Sequence, residues 1–260
     1  MKKYIAILLA AAMATLGISA CRKENSNKET KVQKDSDIKV VTTIFPEYDW
    51  VRQIAGEEAD QMDITMLLDN GVDLHSYQPT AEDIMKVSDC DLFVYVGGES
   101  DAWVDDALKQ AKNKDMQVVD LLDVLGNSAK EEEVIEGMEP EEEEEEPEYD
   151  EHVWLSVKNA EVLSKAIADA LEKADPDHKD IYQENASAYS EKLKDLDAKY
   201  QEVVDGASQK TLLFGDRFPF RYLVDDYGLS YYAAFVGCSA ESEASFVTIS
   251  FLANKVDELG

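Results

Sequence analysis

The chain has 260 residues, of which 25 are basic and 56 acidic, so its formal net charge is −31. A field of that sign repels nucleic-acid phosphates and anionic lipid headgroups and attracts cations, which argues against a nucleic-acid-binding protein. The length is enough for two α/β lobes, and 45% hydrophobic residues are enough for a sizeable core.

The N-terminus has the pattern of an export signal. A positive start, "MKK", precedes an apolar run over 4–18 that is too short and too rich in alanine for a confident membrane span. The following "ISAC" resembles the lipobox of bacterial lipoproteins. We predict a signal peptide over 1–20, lipid attachment at Cys21, a flexible tether over 21–37 and anchoring at the outer face of the membrane. The alternative is an ordinary cleaved signal followed by an unmodified cysteine.

Residues 38–155 alternate between strand-like and helix-like patterns. The predicted elements are strands over 40–43, 62–68, 91–98 and 116–122 and helices over 46–56, 80–90 and 101–112. Such alternation indicates a parallel sheet with short crossovers. His75 follows the second strand, at the sheet edge where open α/β folds bind ligands. On position alone His75 is either a surface residue or a metal ligand.

The composition changes abruptly over residues 131–151, where 14 of 21 side chains are acidic and six consecutive glutamates lie between Pro140 and Pro147. Dense like charges repel one another and proline opposes a helix, so we predict a mobile acidic loop within the first lobe. His152 comes directly after it, just before a helix. This segment either concentrates divalent cations near a binding site or is an inert, solubilising insert.

Residues 156–206 are predicted to form linking helices. Apolar residues recur at helical spacing from Tyr182 to Val203, on a helix of about 28 residues that would span roughly 40 Å. The alternation of strands and helices returns over 207–260, with strands over 211–214 and 230–235, a loop over 215–220 and helices over 221–228 and 246–260. Two strands are few for a lobe, so we expect this second lobe to be incomplete in the chain.

Enzyme signatures are missing from the sequence: it has no dinucleotide fingerprint, no phosphate-binding lysine loop and no nucleophile elbow. We therefore expect a protein that is not an enzyme. His178, in the first turn of the long helix, is expected to be solvated. Cys90 and Cys238 both adjoin predicted strands, and either a disulfide between them or two buried thiols is compatible with export.

Longer blocks resemble a known family. "DLHSYQPTAEDIMKVSDCDLFVYVGGESDAWV", "DEHVWLSVKNAEVLSKAIADALEKADPDHKDIYQENASAYSEKL", "GDRFPFRYLVDDYGL" and "GCSAESEAS" are similar to segments of the metal-binding lipoproteins that serve zinc and manganese ABC transporters. The resemblance covers about residues 38–260. It implies two α/β lobes with parallel sheets joined by a long rigid helix, with the metal in the cleft between them.

The resemblance also implies a ligand set. His75 and His152 match the family's two first-lobe imidazole ligands, which suit Zn²⁺. At the family's next ligand position stands Gly215, which has no side chain. The adjacent Asp216 is a candidate substitute, or a loop residue that pairs with Arg217 or Arg221. The family's last ligand is a carboxylate near the C-terminus, which we expect to lie beyond the end of this chain. We expect Glu243 to cap a helix rather than bind metal.

The function implied is capture of a divalent transition metal, zinc first, and its delivery by a monomeric lipoprotein to a membrane permease. Manganese is the alternative cargo, because two imidazoles and two carboxylates would also suit it. An adhesin that uses metal only structurally is the alternative from another class. A metal-assisted hydrolase is a third, and it would require an open coordination position beside a general base.

Overall fold

A computed structural model describes residues 38–69, 71–138, 148–239 and 243–260. The first lobe consists of β1 (Lys39–Thr42), α1 (Phe45–Ala55), β2 (Asp63–Met66), α2 (Ala81–Asp89), β3 (Leu92–Tyr95), α3 (Val104–Lys109), β4 (Gln117–Asp120) and α4 (Leu121–Leu125). Two long helices follow, α5 (Val157–Ala174) and α6 (Lys179–Gly206). The second lobe consists of β5 (Thr211–Phe218), α7 (Arg221–Tyr227), β6 (Ser230–Val236) and α8 (Phe246–Leu259).

The first lobe is built on a parallel sheet with the strand order β2-β1-β3-β4. Its central strands are short apolar runs, and Val40, Leu92, Phe93 and Val94 are fully buried. Because parallel strands end at the same edge, the loops after β2 and β3 meet there. The predicted α/β architecture with parallel sheets and a long helix is confirmed, although α3 is shorter than the predicted helix over 101–112.

The 28-residue helix α6 has the predicted length, about 42 Å at 1.5 Å per residue. Tyr182 and Leu193 are buried, where this helix packs against α1 and α5. The predicted apolar stripe does not stay buried, since Val203 is 72% exposed. Instead, the ring of Tyr200 stacks on Tyr227 with centroids 5.4 Å apart, so the later turns of α6 contact α7 rather than the first lobe.

The second lobe contains the parallel pair β5–β6. The predicted loop over 215–220 is wrong in part, because β5 continues through Phe218 after a shift in register between Phe214 and Arg217. Phe218 is buried and stacks on Tyr231 with ring centroids 3.8 Å apart. That burial returns the chain to the sheet after the exposed bulge.

The acidic segment 131–151 is ordered at both ends, contrary to the prediction of a mobile loop throughout. Glu131 forms an antiparallel bridge with Tyr149, and the Asp150 N–H donates to the Lys130 carbonyl at 2.8 Å. Met138 is buried in the core of the second lobe. Paired backbone groups and a buried anchor therefore hold the ends of this segment, whereas residues 139–147 lie outside the described part.

The predicted signal peptide, Cys21 and the tether also lie outside the described residues. Within the described ranges, every helix is too short or too polar to cross a membrane.

Candidate metal site

His75 lies in a short turn, Leu74–Ser76, after β2. The Asp73 carboxylate accepts a hydrogen bond from the His75 backbone N–H at 3.0 Å and so caps this turn. The ring Nδ1 lies 3.0 Å from Ser100 Oγ and 3.3 Å from Glu151 Oε2. The ring is thus oriented through its Nδ1 edge, with its Nε2 directed elsewhere.

His152 is buried and begins the turn that leads into α5. Asp150 Oδ1 accepts from the His152 backbone N–H at 2.8 Å and lies 3.0 Å from the ring Nδ1. The carbonyl of Asp150 accepts a hydrogen bond from the Tyr222 hydroxyl of the second lobe at 2.8 Å. The Asp150 carboxylate therefore holds the His152 ring at its Nδ1 edge, as Glu151 and Ser100 hold the His75 ring at its Nδ1 edge.

The two histidines face each other through their Nε2 atoms, which are 3.3 Å apart. When each Nδ1–H donates to its neighbouring acceptor, both Nε2 atoms present lone pairs, which repel unless a cation lies between them. Two nitrogens that bind Zn²⁺ at 2.0–2.1 Å with tetrahedral geometry are about 3.3 Å apart. Two carboxylate-supported imidazoles at this separation are thus preorganised for a metal ion.

Charges around His75 favour a cation at this position. Burial opposes protonation of His75, but the Glu151 carboxylate beside its ring outweighs burial and raises the pKa of His75 above the ordinary value. Burial alone would raise the pKa of Glu151, but the neighbouring His75 ring and the hydrogen bond from the Ser100 backbone N–H outweigh that effect and lower it. Glu151 is therefore a carboxylate anion, and a proton on His75 would compete with a metal ion.

The turn after β3 makes room for Glu151. Gly98 has a φ of +76°, and a β-carbon there would collide with Glu151 Oε1. The same oxygen accepts from the Ser100 backbone N–H at 2.9 Å. Buried Asp101 fixes the turn by accepting from the backbone N–H groups of Val96 and Gly97, and burial raises the pKa of Asp101 to about 7.

The structure adds a third residue that the sequence analysis did not assign to the site. Cys238 follows β6, and its Sγ lies 4.0 Å from His152 Nδ1. One potential ligand atom from each of His75, His152 and Cys238 lies within 4.8 Å of the others. Burial, followed by the charge of Glu132, raises the pKa of the Cys238 thiol. Cys90, which is buried, and Cys238, which is half-buried, are both free thiols, so the two do not form a disulfide in this structure.

Asp216 lines the same cleft as the histidines but is not a member of this three-residue group. It lies on the bulge of β5 beside Gly215, and its Oδ1 accepts from the Arg217 backbone N–H at 2.8 Å. The cleft has a volume of about 390 Å³. Arg217 also lines it and contacts both sides, with Nη1 3.3 Å from the Ser239 carbonyl and Nη2 3.9 Å from Asp73 Oδ2.

The remaining sequence candidates lie elsewhere. His178 is half-buried rather than solvated, with Nδ1 2.6 Å from Asp175 Oδ2 and Nε2 3.5 Å from Glu58 Oε2. Glu243 is exposed, and the expectation that it caps α8 is wrong because Ser245 accepts the capping hydrogen bond from Thr248.

Comparisons with known proteins agree with this architecture. The family described as "Zinc-uptake complex component A periplasmic" matches residues 40–260. The zinc-binding lipoprotein AdcA of Streptococcus pneumoniae is 34% identical over 258 residues, 98% of this chain and 48% of that protein, so the chain spans about half the length of this relative.

Similar solved structures include both a zinc-bound domain and an adhesin. The Zn(II)-bound ZnuA-like domain of Streptococcus pneumoniae AdcA superposes with a TM-score of 0.65 at 31% identity, over 86% of this chain and 76% of that one. A laminin-binding adhesin of Streptococcus agalactiae superposes with a TM-score of 0.68 at 26% identity, over 85% and 77%. With its family match over residues 40–260, this chain belongs to the zinc-uptake complex component A family.

Proposed function

We propose that this protein captures a zinc ion outside the cytoplasmic membrane and delivers it, as a monomer, to the permease of an ABC transporter. The observation that carries the proposal is the pair of Nε2 atoms 3.3 Å apart, each on a ring whose Nδ1 faces a carboxylate. The zinc ion is cargo, so the site needs to bind and release it without covalent chemistry. The zinc-bound form of the similar AdcA domain supports the same choice of metal.

Zinc is favoured over manganese because the two imidazoles are softer donors than the carboxylates and water that suit manganese. Asp216 remains a proposed oxygen ligand, since it lines the cleft and its carboxylate would complete a site with two histidines. If Asp216 is found to coordinate the metal, its oxygen would add a ligand of the kind that manganese prefers.

We further propose that Cys21 carries a lipid that holds the protein at the outer face of the membrane. Support comes from the "ISAC" sequence and from the description of the similar AdcA as a lipoprotein. Mass spectrometry of the membrane-extracted protein should find a lipid-modified Cys21 at the mature N-terminus. An unmodified cysteine, or cleavage elsewhere, would contradict the proposal.

A second candidate function is adhesion, because a similar structure belongs to a laminin-binding adhesin. The two functions differ in what deletion of the gene changes. A transport protein gives a growth defect that appears at limiting zinc and is relieved by added zinc. An adhesin gives reduced attachment to laminin with normal zinc uptake.

Substitution of either histidine tests the site directly. We expect His75→Ala and His152→Ala each to weaken zinc binding of the full chain by at least about 100-fold, because each removes a directly coordinating nitrogen. Isothermal titration calorimetry with zinc measures the change. His178→Ala is the matched control, since His178 also pairs with a carboxylate but lies outside the site. Unchanged affinity in both site variants would refute the assignment.

A further inference from the structure

The end of β6 is shaped to lie against His152. A β-carbon at Gly237 would be 3.0 Å from His152 Nδ1 and 3.0 Å from the Phe218 carbonyl oxygen, tighter than ordinary packing. Glycine at this position therefore lets the backbone pass close to the imidazole. The next residue, Cys238, reaches the edge of the ring as a consequence.

The backbone of Cys238 is held from the opposite side. Its N–H donates to Glu132 Oε1 at 2.8 Å, which ties the loop after β6 to the ordered start of the acidic segment. The neighbouring Ser239 carbonyl accepts from Arg217 Nη1 at 3.3 Å. The thiol thus lies on a loop that contacts both the acidic segment and Arg217, at the point where the second lobe meets the two histidines of the first.

We propose that Cys238 is a zinc ligand, so that the site binds its cargo through two imidazoles and one thiolate. This inference rests on the proposed zinc-binding function and adds a sulfur donor to it. In a tetrahedral zinc site, with Zn–N of 2.0–2.1 Å and Zn–S of 2.3 Å, nitrogen and sulfur are about 3.6 Å apart. One potential ligand atom from each of the three residues lies within 4.8 Å of the others, somewhat more than this spacing. The 4.0 Å contact of Sγ is with His152 Nδ1, so ligation requires the loop to move towards the side of the ring where the two Nε2 atoms face each other.

The binding step is a simple exchange of a proton for a metal. The Cys238 thiol releases its proton to solvent as the S–Zn bond forms, and no oxidant or reductant takes part. Zinc would then have donors from both lobes, and one tetrahedral position would face the cleft for water or an oxygen ligand. A thiolate is a soft donor, so it shifts selectivity away from manganese and towards zinc.

Cobalt(II) is a spectroscopic probe for this proposal because thiolate ligation gives a charge-transfer band in the near ultraviolet. We expect the full chain loaded with Co²⁺ under reducing conditions to show this band and Cys238→Ser to lose it. Cys90→Ser is the matched control, because Cys90 is a buried thiol that contacts the Val87 carbonyl and Met116. The control should keep the band.

Affinity and protection provide independent measurements. We expect Cys238→Ser to weaken zinc binding by about 100-fold, and Cys238→Asp to bind zinc more weakly but to lower the ratio of zinc to manganese affinity. Zinc should also protect Cys238 of the unmodified chain from iodoacetamide, as read by mass spectrometry. This last readout does not depend on the folding of any variant.

The outcomes separate this inference from the function on which it rests. If the unmodified chain binds zinc but shows no thiolate band with Co²⁺ and no protection of Cys238, the sulfur ligand is refuted and zinc capture stands. If His75→Ala and Cys238→Ser both bind zinc as the unmodified chain does, both proposals fail.

Discussion

A carboxylate beside the Nδ1 of each histidine determines what the two rings can do. Asp150 lies 3.0 Å from the ring of His152, and Glu151 lies 3.3 Å from the ring of His75. Such outer contacts orient a ligand and increase its basicity, and their loss typically lowers metal affinity by about 10–100-fold. Two residues adjacent in the chain therefore contact different histidines.

Neutralising Asp150 should weaken the site without removing a ligand. In Asp150→Asn the amide oxygen can still accept from the His152 backbone, but the negative charge behind the ring is lost. We expect zinc affinity to fall by about 10-fold, as measured by competition with a chelator of known affinity.

Asp175→Asn supplies the comparison for Asp150→Asn. Asp175 pairs with His178 at 2.6 Å, outside the proposed site. An equal loss of affinity in both variants would mean that the effect is one of overall charge rather than of the contact with His152.

At the scale of the elements, the turn after β3 connects the sheet to the site. Asp101 accepts hydrogen bonds from the backbone N–H groups of Val96 and Gly97. Gly98 leaves room for Glu151. Ser100 contacts both Glu151 and His75. The loop at the carboxyl end of a buried strand thereby supports His75, the proposed ligand on a different loop.

Gly98→Ala should disturb both stability and binding. The new methyl group would displace Glu151, and a φ of +76° is strained for alanine, so we expect about 1–3 kcal/mol less stability and weaker zinc binding. Urea denaturation and zinc titration measure the two effects.

Gly126→Ala is the matched variant for the backbone strain alone. Gly126 has a φ of +50°, and a β-carbon there would have no atom within 4 Å. We expect this variant to lose stability but keep its zinc affinity. Normal zinc affinity in Gly98→Ala would show that Glu151 does not need its present position.

Most of the elements could be predicted from the sequence, as could the two histidines whose rings the structure brings together, and the reasons are local. The alternation of strands and helices, and the position of His75 after a strand, reflect backbone periodicity. His152 could be assigned only because the segment around it resembles the family. Cys238 was not predicted because its approach to His152 depends on how the two lobes meet. Asp150 and Glu151 were not distinguished because 14 of the 21 residues around them are acidic. The exposure of Val203 depends equally on tertiary packing.

At the scale of the whole molecule, the acidic segment over 131–151 consists of two ends that pack against the protein and a central run of glutamates. Its ends contribute Met138 to the second-lobe core and two carboxylates, Asp150 and Glu151, to the contacts of His152 and His75. Removing all of 131–151 would therefore also remove the carboxylates that hold these two rings. The six consecutive glutamates over 141–146 are separable from those ends. A charge of −31 on the chain attracts divalent cations, and these six residues concentrate part of it.

Replacing the glutamates over 141–146 with glutamine therefore tests whether they gather metal. We expect unchanged equilibrium affinity for zinc but slower uptake by cells at limiting zinc, with the difference shrinking as ionic strength rises. Stopped-flow binding and radiolabelled zinc uptake measure these effects. Equal uptake rates at low salt would identify the run as an inert, solubilising insert.

The hydroxyl of Tyr222 accepts from the Lys130 backbone N–H at 3.0 Å and donates to the Asp150 carbonyl at 2.8 Å, at the base of that segment. A single phenol thus forms hydrogen bonds to both ends of the segment, at Lys130 and Asp150, just before His152 in the chain. Because loop-closure entropy rises only slowly with length, the chain between these two hydrogen bonds can be lengthened at small thermodynamic cost. The segment between Lys130 and Asp150 therefore offers a place to insert a fluorescent reporter for zinc occupancy without altering His75 or His152.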